Sequence, residues 1–342
     1  MTTPVTTTVP PREARPLRLA VIGCGRIAQS HLAAIASVAE AKLTAVVDVR
    51  RTAAAAVAEQ HKCESIADFR DEKLHEIVDA VLICTPPQTH LEIARYFLER
   101  GVHVMVEKPL TIRPDDARAV VRLAAERGRV LMMASKFRYV PDVMKAKSLV
   151  ETSVLGRVVL YENSFCSKVA MGERWNAQPD VAGGGVLIDN GCHSADIARY
   201  LLGPIAAVHA HRGLAAQALP VEDTVRLMFK TGSGVLGAVD LSWSLNKEAD
   251  AYISIYGTQG TLFVGWRESR YRQDGSPNWV SFGNGYDKVA AFRGQIENFV
   301  ATIEKRAEPL IKAEDAMASV EVVAAAYESM RKDDWAKVGT AS

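Results

Sequence analysis

Six residues near the start of the chain carry the first chemical signal. Gly23-Cys24-Gly25-Arg26-Ile27-Ala28 follows an apolar stretch, Leu17 to Gly23, and opens a helix-like one. In that setting a G-x-G-x-x-A pattern builds a seat for a dinucleotide pyrophosphate. Gly23 permits the tight turn, Gly25 lets the backbone come close, and Ala28 keeps the helix against the strand. The helix N-terminus offers free N–H groups and a positive dipole end to the phosphates. Asp48 ends the next apolar stretch, twenty residues after Ala28. There a carboxylate accepts hydrogen bonds from the adenosine ribose. It would also repel a 2′-phosphate by about 1–4 kcal/mol, depending on local dielectric. That is about one to three powers of ten in affinity, so NAD is expected over NADP. Arg50 and Arg51 are close enough in sequence to reach a phosphate, which keeps NADP open.

Two further segments follow apolar runs: Thr85-Pro86-Pro87-Gln88-Thr89-His90 and Glu107-Lys108-Pro109. Ligands of open α/β sheets bind beyond the carboxyl ends of the strands. A lysine at 108 can therefore reach the nicotinamide end of a dinucleotide. The plainer reading is a surface lysine before a turn proline. A third segment, Gly183 to Asp196, reads GGGVLIDNGCHSAD. As a helix at about 100° per residue it puts Asp189, His193 and Asp196 within about 40° of one face. Such a face suits proton transfer, or a buried histidine satisfied by a neighbouring carboxylate. Asp and His four apart could be two metal ligands, but no third or fourth is spaced to join them, and no metal is expected.

These residues need elements to hold them. From Leu17 to Ala134, short apolar strands alternate with helical segments: strands at 17–23, 43–48, 80–85, 102–106 and 130–134, helices at 28–39, 51–61, 90–100 and 115–127. Uninterrupted apolar strands between helices are what a buried parallel sheet requires. After about Lys136 the rhythm changes. A helix at 142–152, a strand at 156–168 and a glycine-led helix at 184–202 precede strands at 206–213, 222–230, 234–244, 250–257 and 260–265. Turn signals such as Thr231-Gly232-Ser233-Gly234 separate them. Helices at 289–306 and 313–331 follow. The fold class expected is α/β: an N-terminal Rossmann doubly wound parallel sheet, then a C-terminal α+β domain with a large, mostly antiparallel open sheet. The domains would be 1–16, a flexible Thr/Pro tail; 17–136, dinucleotide-binding; and 137–342, substrate-binding and oligomerisation.

Composition agrees and excludes alternatives. With 342 residues, two domains are ordinary. Forty-one Lys plus Arg against forty Asp plus Glu leave a net charge of +1, which argues against a nucleic-acid binder. The five cysteines form no Cys-x-x-Cys pair and are odd in number. That fits a reducing, cytoplasmic compartment better than a disulfide framework or zinc ribbon. No apolar run approaches the roughly 18 residues of a membrane span, and the first sixteen residues lack a signal-peptide core.

Taken together, VIGCGRIAQSH, CTPPQTH, EKPLT, KFRYVPDV, GGGVLIDNGCHSADIARYLLG, EDTVRLMF, YGTQGTLFV and FRGQIENF resemble the Gfo/Idh/MocA oxidoreductases across residues 17 to 338. The resemblance implies an NAD(P)-dependent dehydrogenase of a secondary alcohol or ketone on a sugar, cyclitol or sugar derivative, amino and nucleotide-linked sugars included. The family's catalytic lysine, aspartate and histidine fall on Lys108, Asp189 and His193. His193 would be the general acid/base, Lys108 would stabilise the reacting oxygen, and Asp189 would orient His193 or bind a substrate hydroxyl. Cofactor contacts are expected from Gly23, Gly25, Arg26, Ile27, Asp48, Arg50, Thr85, Pro86, His90, Glu107 and Lys108. Substrate contacts are expected from Arg138, Tyr139, Trp175 and Asn176. A homodimer or homotetramer would cover the open sheet face. The competing reading is a non-catalytic cofactor or sugar sensor on the same fold, which would not need to keep Lys108, Asp189 and His193.

Overall fold

The structure, a computed structural model, describes residues 15–339. The expected tail lies outside the described residues as far as position 14. Arg15 and Pro16 are described. The Arg15 guanidinium holds the Asp79 carboxylate through two hydrogen bonds of 2.9 and 3.1 Å, and Arg18 grips the same carboxylate. Arg15, just before the first strand, and Arg18, within it, thus fasten this end of the chain to Asp79.

Six short strands form a parallel sheet: β1 (Leu17–Ile22), β2 (Ala41–Val47), β3 (Glu64–Ile66), β4 (Ala80–Ile83), β5 (His103–Glu107) and β6 (Leu131–Ala134). Their order is β3-β2-β1-β4-β5-β6. The crossovers are α1 (Arg26–Ala36), α2 (Arg51–His61), α3 (Glu72–Ile77), α4 (His90–Glu99) and α5 (Pro114–Glu126). β4 and β6 are buried at every position. That is why they read as continuous apolar runs rather than alternating ones. The edge strand β3 and the short α3 escape a pattern search, because each buries one apolar residue, Ile66 and Leu74. The strand order reverses between β1 and β4, and the crevice at that switch point is where such sheets take ligands.

The second half begins with α6 (Pro141–Glu151), β7 (Val158–Cys166), α7 (Pro179–Ala182), α8 (Val186–Asp189) and α9 (Gly191–Leu202). Then come β8 (Ile205–Arg212), β9 (Thr224–Thr231), β10 (Leu236–Ser242), β11 (Ala251–Gly257), β12 (Gly260–Gly265), β13 (Ser269–Gln273) and β14 (Val280–Gly283). α10 (Lys288–Ile303), α11 (Ala313–Lys332) and a short β15 (Ala336–Lys337) follow. The nine strands run β14-β13-β12-β11-β7-β10-β9-β8-β15. Only β7 and β10 are parallel neighbours. The open antiparallel sheet is therefore present and wider than its sequence signals, because β13, β14 and β15 extend both edges. The expected helix over 184–202 starts at Val186 and is divided at Asn190 into α8 and α9.

β9 shows how this sheet is used. Val225, Leu227, Phe229 and Thr231 are buried, and Arg226, Met228 and Lys230 are exposed. One face lies on helices and the other meets water. α11 packs on α5, α9 and β8, which joins the two sheets. α10 lies on α1, with His31 edge-on to Phe292 at 4.7 Å. Residues Gly191 to Ala198 of α9 are all buried between these layers.

Candidate active site

The phosphate loop after β1 shows two different uses of glycine. Gly23 has φ +96°, and a Cβ there would stand 2.9 Å from the Cys84 carbonyl, so the fold itself requires glycine. Gly25 has φ −73°, and a Cβ there would meet no atom within 4 Å. The space beside it is open, as a closely approaching pyrophosphate needs. α1 has no side-chain N-cap and no acid in its first turn, so no side chain competes for its leading N–H groups. Ala28 is fully buried under it. Asp48 Oδ2 accepts from the Cys24 N–H and Oδ1 from the Arg50 N–H, both at 2.9 Å. One carboxylate thus fixes the phosphate loop and stands ready for a ribose. Arg26 is exposed, Ile27 half-buried, and Arg50 mostly exposed, leaning on Asp48 at 3.4 Å. The Cys24 thiol is pushed up to about 11 by burial and by Asp48, and keeps its proton. These residues fit a dinucleotide.

At the end of β4, Thr85 and Pro86 are half-buried, with Thr85 Oγ1 accepting from the Thr89 hydroxyl at 2.7 Å. Two neighbours expected to touch cofactor do something else. His90 is fully buried, with Nδ1 2.8 Å from the Pro109 carbonyl and Nε2 2.9 Å from the Thr85 carbonyl. It ties the loops after β4 and β5 together and has no nitrogen left for a ligand. Glu107 is also buried. Its Oε1 lies 2.6 Å from His31 Nε2 and its Oε2 accepts from the Lys108 N–H at 3.2 Å. Burial alone would push this carboxyl up, but His31, Lys108 and Lys136 outweigh it and hold it below the usual range. Glu107 therefore braces β5 against α1.

Beyond β5 and β6 the charged side chains converge. Lys108 Nζ donates to Asp189 Oδ1 at 2.5 Å and to the Asp189 carbonyl at 2.9 Å. Burial would lower this lysine, but Asp189 more than reverses it and holds the ammonium charged. Asp189 is positioned by α8, whose N-terminal Gly185 and Leu187 N–H groups donate to Glu222 Oε1 at 3.0 and 3.1 Å. One turn on, His193 is buried, with Nδ1 3.4 Å from Ser135 Oγ and its ring edge-on to Phe137 at 5.1 Å. Burial, with help from Lys108 and Lys136, holds His193 well below a histidine's ordinary 6.5. It is neutral at pH 7 and able to accept a proton. Asp189 thus meets Lys108, and Ser135 faces the histidine.

The other residues of the expected site separate. Asp196 leaves the group and pairs with Arg138 at 2.7 Å; both are buried. Arg138 also donates to Asp315 and to the Leu310 carbonyl, each at 3.1 Å. Tyr139 is buried and donates to Asn298 Oδ1 at 3.0 Å. Arg138 and Tyr139 are therefore structural, and their expected substrate contacts are corrected. The 3₁₀ turn after them in the sequence, Trp175–Ala177, leaves Trp175 exposed and Asn176 half-buried. Ser135, Lys136 and Phe137, none of them expected as a site residue although Lys136 and Phe137 open the KFRYVPDV motif, stand beside His193 and Lys108. Their signal was position: they follow a parallel strand just as Lys108 does.

Comparison with known proteins agrees with this fold. Residues 17–135 match a family described as "Oxidoreductase family, NAD-binding Rossmann fold", and residues 143–263 match the GFO/IDH/MocA C-terminal domain. The chain is 27% identical over 334 residues to an inositol 2-dehydrogenase of Rhizobium meliloti, covering 92% of this chain and 97% of that one. It is 27% identical over 326 residues to a scyllo-inositol 2-dehydrogenase (NAD(+)) of Bacillus subtilis, covering 92% and 94%. Levoglucosan dehydrogenase, solved with NADH, shares the fold with a TM-score of 0.88 at 22% identity, covering 96% of this chain and 100% of that one. GenD2 from gentamicin A biosynthesis, solved with NAD, gives 0.84 at 26%, covering 96% and 98%. The two family matches, one on each sheet, place the chain in the Gfo/Idh/MocA family of NAD-binding oxidoreductases.

Proposed function

We propose that the protein oxidises a secondary hydroxyl of a sugar, cyclitol or sugar derivative, amino and nucleotide-linked sugars included, or reduces the matching ketone. The observation that carries this is the Lys108–Asp189 ion pair beyond the parallel strands, within electrostatic reach of a buried, neutral His193, on a chain whose Gly25 leaves room for a pyrophosphate. The relatives named as inositol dehydrogenases support a polyol substrate. Bound NAD supplies the hydride acceptor. His193 takes the hydroxyl proton, for which a buried imidazole held neutral is suited. Lys108, kept charged by Asp189, stabilises the negative charge that develops on the same oxygen. Asp189 holds that ammonium in place. Trp175 and Asn176 would contact the far side of the substrate. Residues 17–136 would bind cofactor and 137–342 the substrate.

Assembly and location complete the reading. Leu160 and Leu236 are cross-strand partners on the sheet face away from the helices, 46% and 45% exposed, with Met228 beside them at 42%. An apolar face of this kind supports a homodimer or homotetramer. Light scattering that finds only a 37.2 kDa species would contradict it. All five cysteines are unpaired, which supports a reducing, cytoplasmic compartment. Among the described residues no helix is long and apolar enough to cross a membrane. The activity is tested by following reduced-nicotinamide absorbance with NAD across a panel of sugars and cyclitols. Turnover of at least one polyol is expected. NAD binding with no turnover across the panel would favour a sensor.

A further inference from the structure

Lys136 follows β6 as Lys108 follows β5. The register pairs Glu107 with Ala134, so Lys108 follows the last pair by one residue and Lys136 by two, on adjacent parallel strands. That is where an open α/β sheet binds its ligands. Lys108 has its acid, Asp189. Lys136 is half-buried and, among the described residues, has no ion pair and no hydrogen-bond acceptor. Its Nζ stands 5.0 Å from the ring centre of Phe137 and 5.7 Å from that of Phe292. Lys288, at the start of α10, faces the same Phe292 ring from 5.7 Å and also lacks an acid partner among the described residues. The acids near Lys136 are Asp189, held by Lys108, and Glu107, held by His31.

Lys136 is therefore a cation with no acceptor in contact among the described residues. An ammonium drawn out of water without an acceptor is unfavourable. Burial and Lys108 accordingly push Lys136 down to about 8. An arriving anion would relieve both problems through a charge-assisted hydrogen bond.

We propose that Lys136, with Lys288 beside it, binds an anionic substituent of the substrate, a carboxylate or a phosphate ester, so that the sugar or cyclitol oxidised here is an acid or a phosphorylated one. This rests on the dehydrogenase reading above and names its substrate class.

The test compares matched neutral and anionic compounds, such as glucose, glucuronate and a glucose phosphate, by NADH formation. An anionic compound is expected to exceed its neutral match in kcat/KM by about tenfold or more, the worth of one charge-assisted hydrogen bond. Lys136→Met should cut that ratio by about as much, and Lys136→Arg should keep most of it. The arm that responds tells carboxylate from phosphate. A wild-type preference for the neutral compounds, or a ratio that Lys136→Met leaves unchanged, overturns the proposal. If no compound yields NADH, melting of the NADH complex decides. Stabilisation by an anion in the wild type but not in Lys136→Met keeps the subsite and sinks the dehydrogenase reading. Absence of anion-specific stabilisation sinks the subsite.

Discussion

Lys136 and Arg138 lie two residues apart after β6, and Asp189 and Asp196 lie seven apart across α8 and α9, yet the two pairs of positions build opposite kinds of centre. Arg138 and Asp196 close on each other at 2.7 Å in the buried interior, and Arg138 also donates to Asp315 and the Leu310 carbonyl. Lys108 and Asp189 pair just as closely, but their cluster also holds an unpaired Lys136 and a buried neutral His193. A closed cluster fixes helices in place. An open one leaves charge and a proton site for something that arrives. Residue type does not separate the two, since both pair a cation beyond a parallel strand with an aspartate on α8 or α9. What separates them is whether each charge meets an opposite one, as Arg138 and Asp196 do and Lys136, among the described residues, does not.

The largest effects come from breaking each centre at its key residue. His193→Ala should lower turnover by about 10²- to 10⁴-fold, as loss of a general acid/base does. NADH affinity by calorimetry should be nearly unchanged. A variant that loses thermal stability but keeps turnover would place His193 with the closed centre instead. Arg138→Met should do the reverse. It leaves the Asp196 carboxylate buried and unpaired, which costs about 3–5 kcal/mol. Urea unfolding should report that loss, while the folded fraction keeps NADH binding.

Smaller effects sharpen the contrast. Asp48→Ala should narrow the preference for NADH over NADPH by about one to three powers of ten, mainly by admitting NADPH. Equal binding of both cofactors by the wild type would assign the pocket to Arg50 instead. Lys136→Met should stabilise the fold at pH 7 by about 1–3 kcal/mol, because the folded chain holds a charge it would rather shed. Lys136 titrates near 8 when folded and at an ordinary 10.5 when unfolded. Between those values the unfolded chain binds more protons, so wild-type stability rises with pH. The gain from the substitution should be full below pH 8 and fade toward 10.5. Thermal melts of both proteins at several pH values would show it.

The parallel sheet was legible because burial on both faces writes continuous apolar runs, as in Ala80–Ile83. The phosphate loop and Asp48 were legible because a backbone constraint and a fixed spacing define them. β13 and β14 were not, because Ser269–Gln273 and Val280–Gly283 carry mostly polar or exposed residues at a sheet edge. Within the proposed site, Lys108, Asp189 and His193 were named through the family resemblance. Arg138 and Tyr139 were misjudged because a sequence does not say which aspartate an arginine will meet. Here Asp196 and Asp315 come from 58 and 177 residues away. His90 and Glu107 look like ligand groups for the same reason: their partners, two carbonyls and His31, are set by the fold alone.

The central claim is that the open cluster is a proton-transfer centre with His193 as its base. The pH profile of kcat/KM for alcohol oxidation tests it most directly, measured on the wild type and on His193→Gln with the same substrate. Burial and the two lysines hold the imidazole below its ordinary 6.5. The wild-type rate should therefore rise with pH through one group below 6.5 and be level by pH 7. In His193→Gln the residual rate should lack that limb. A limb of the same midpoint in both proteins would contradict the account and assign the proton to another group.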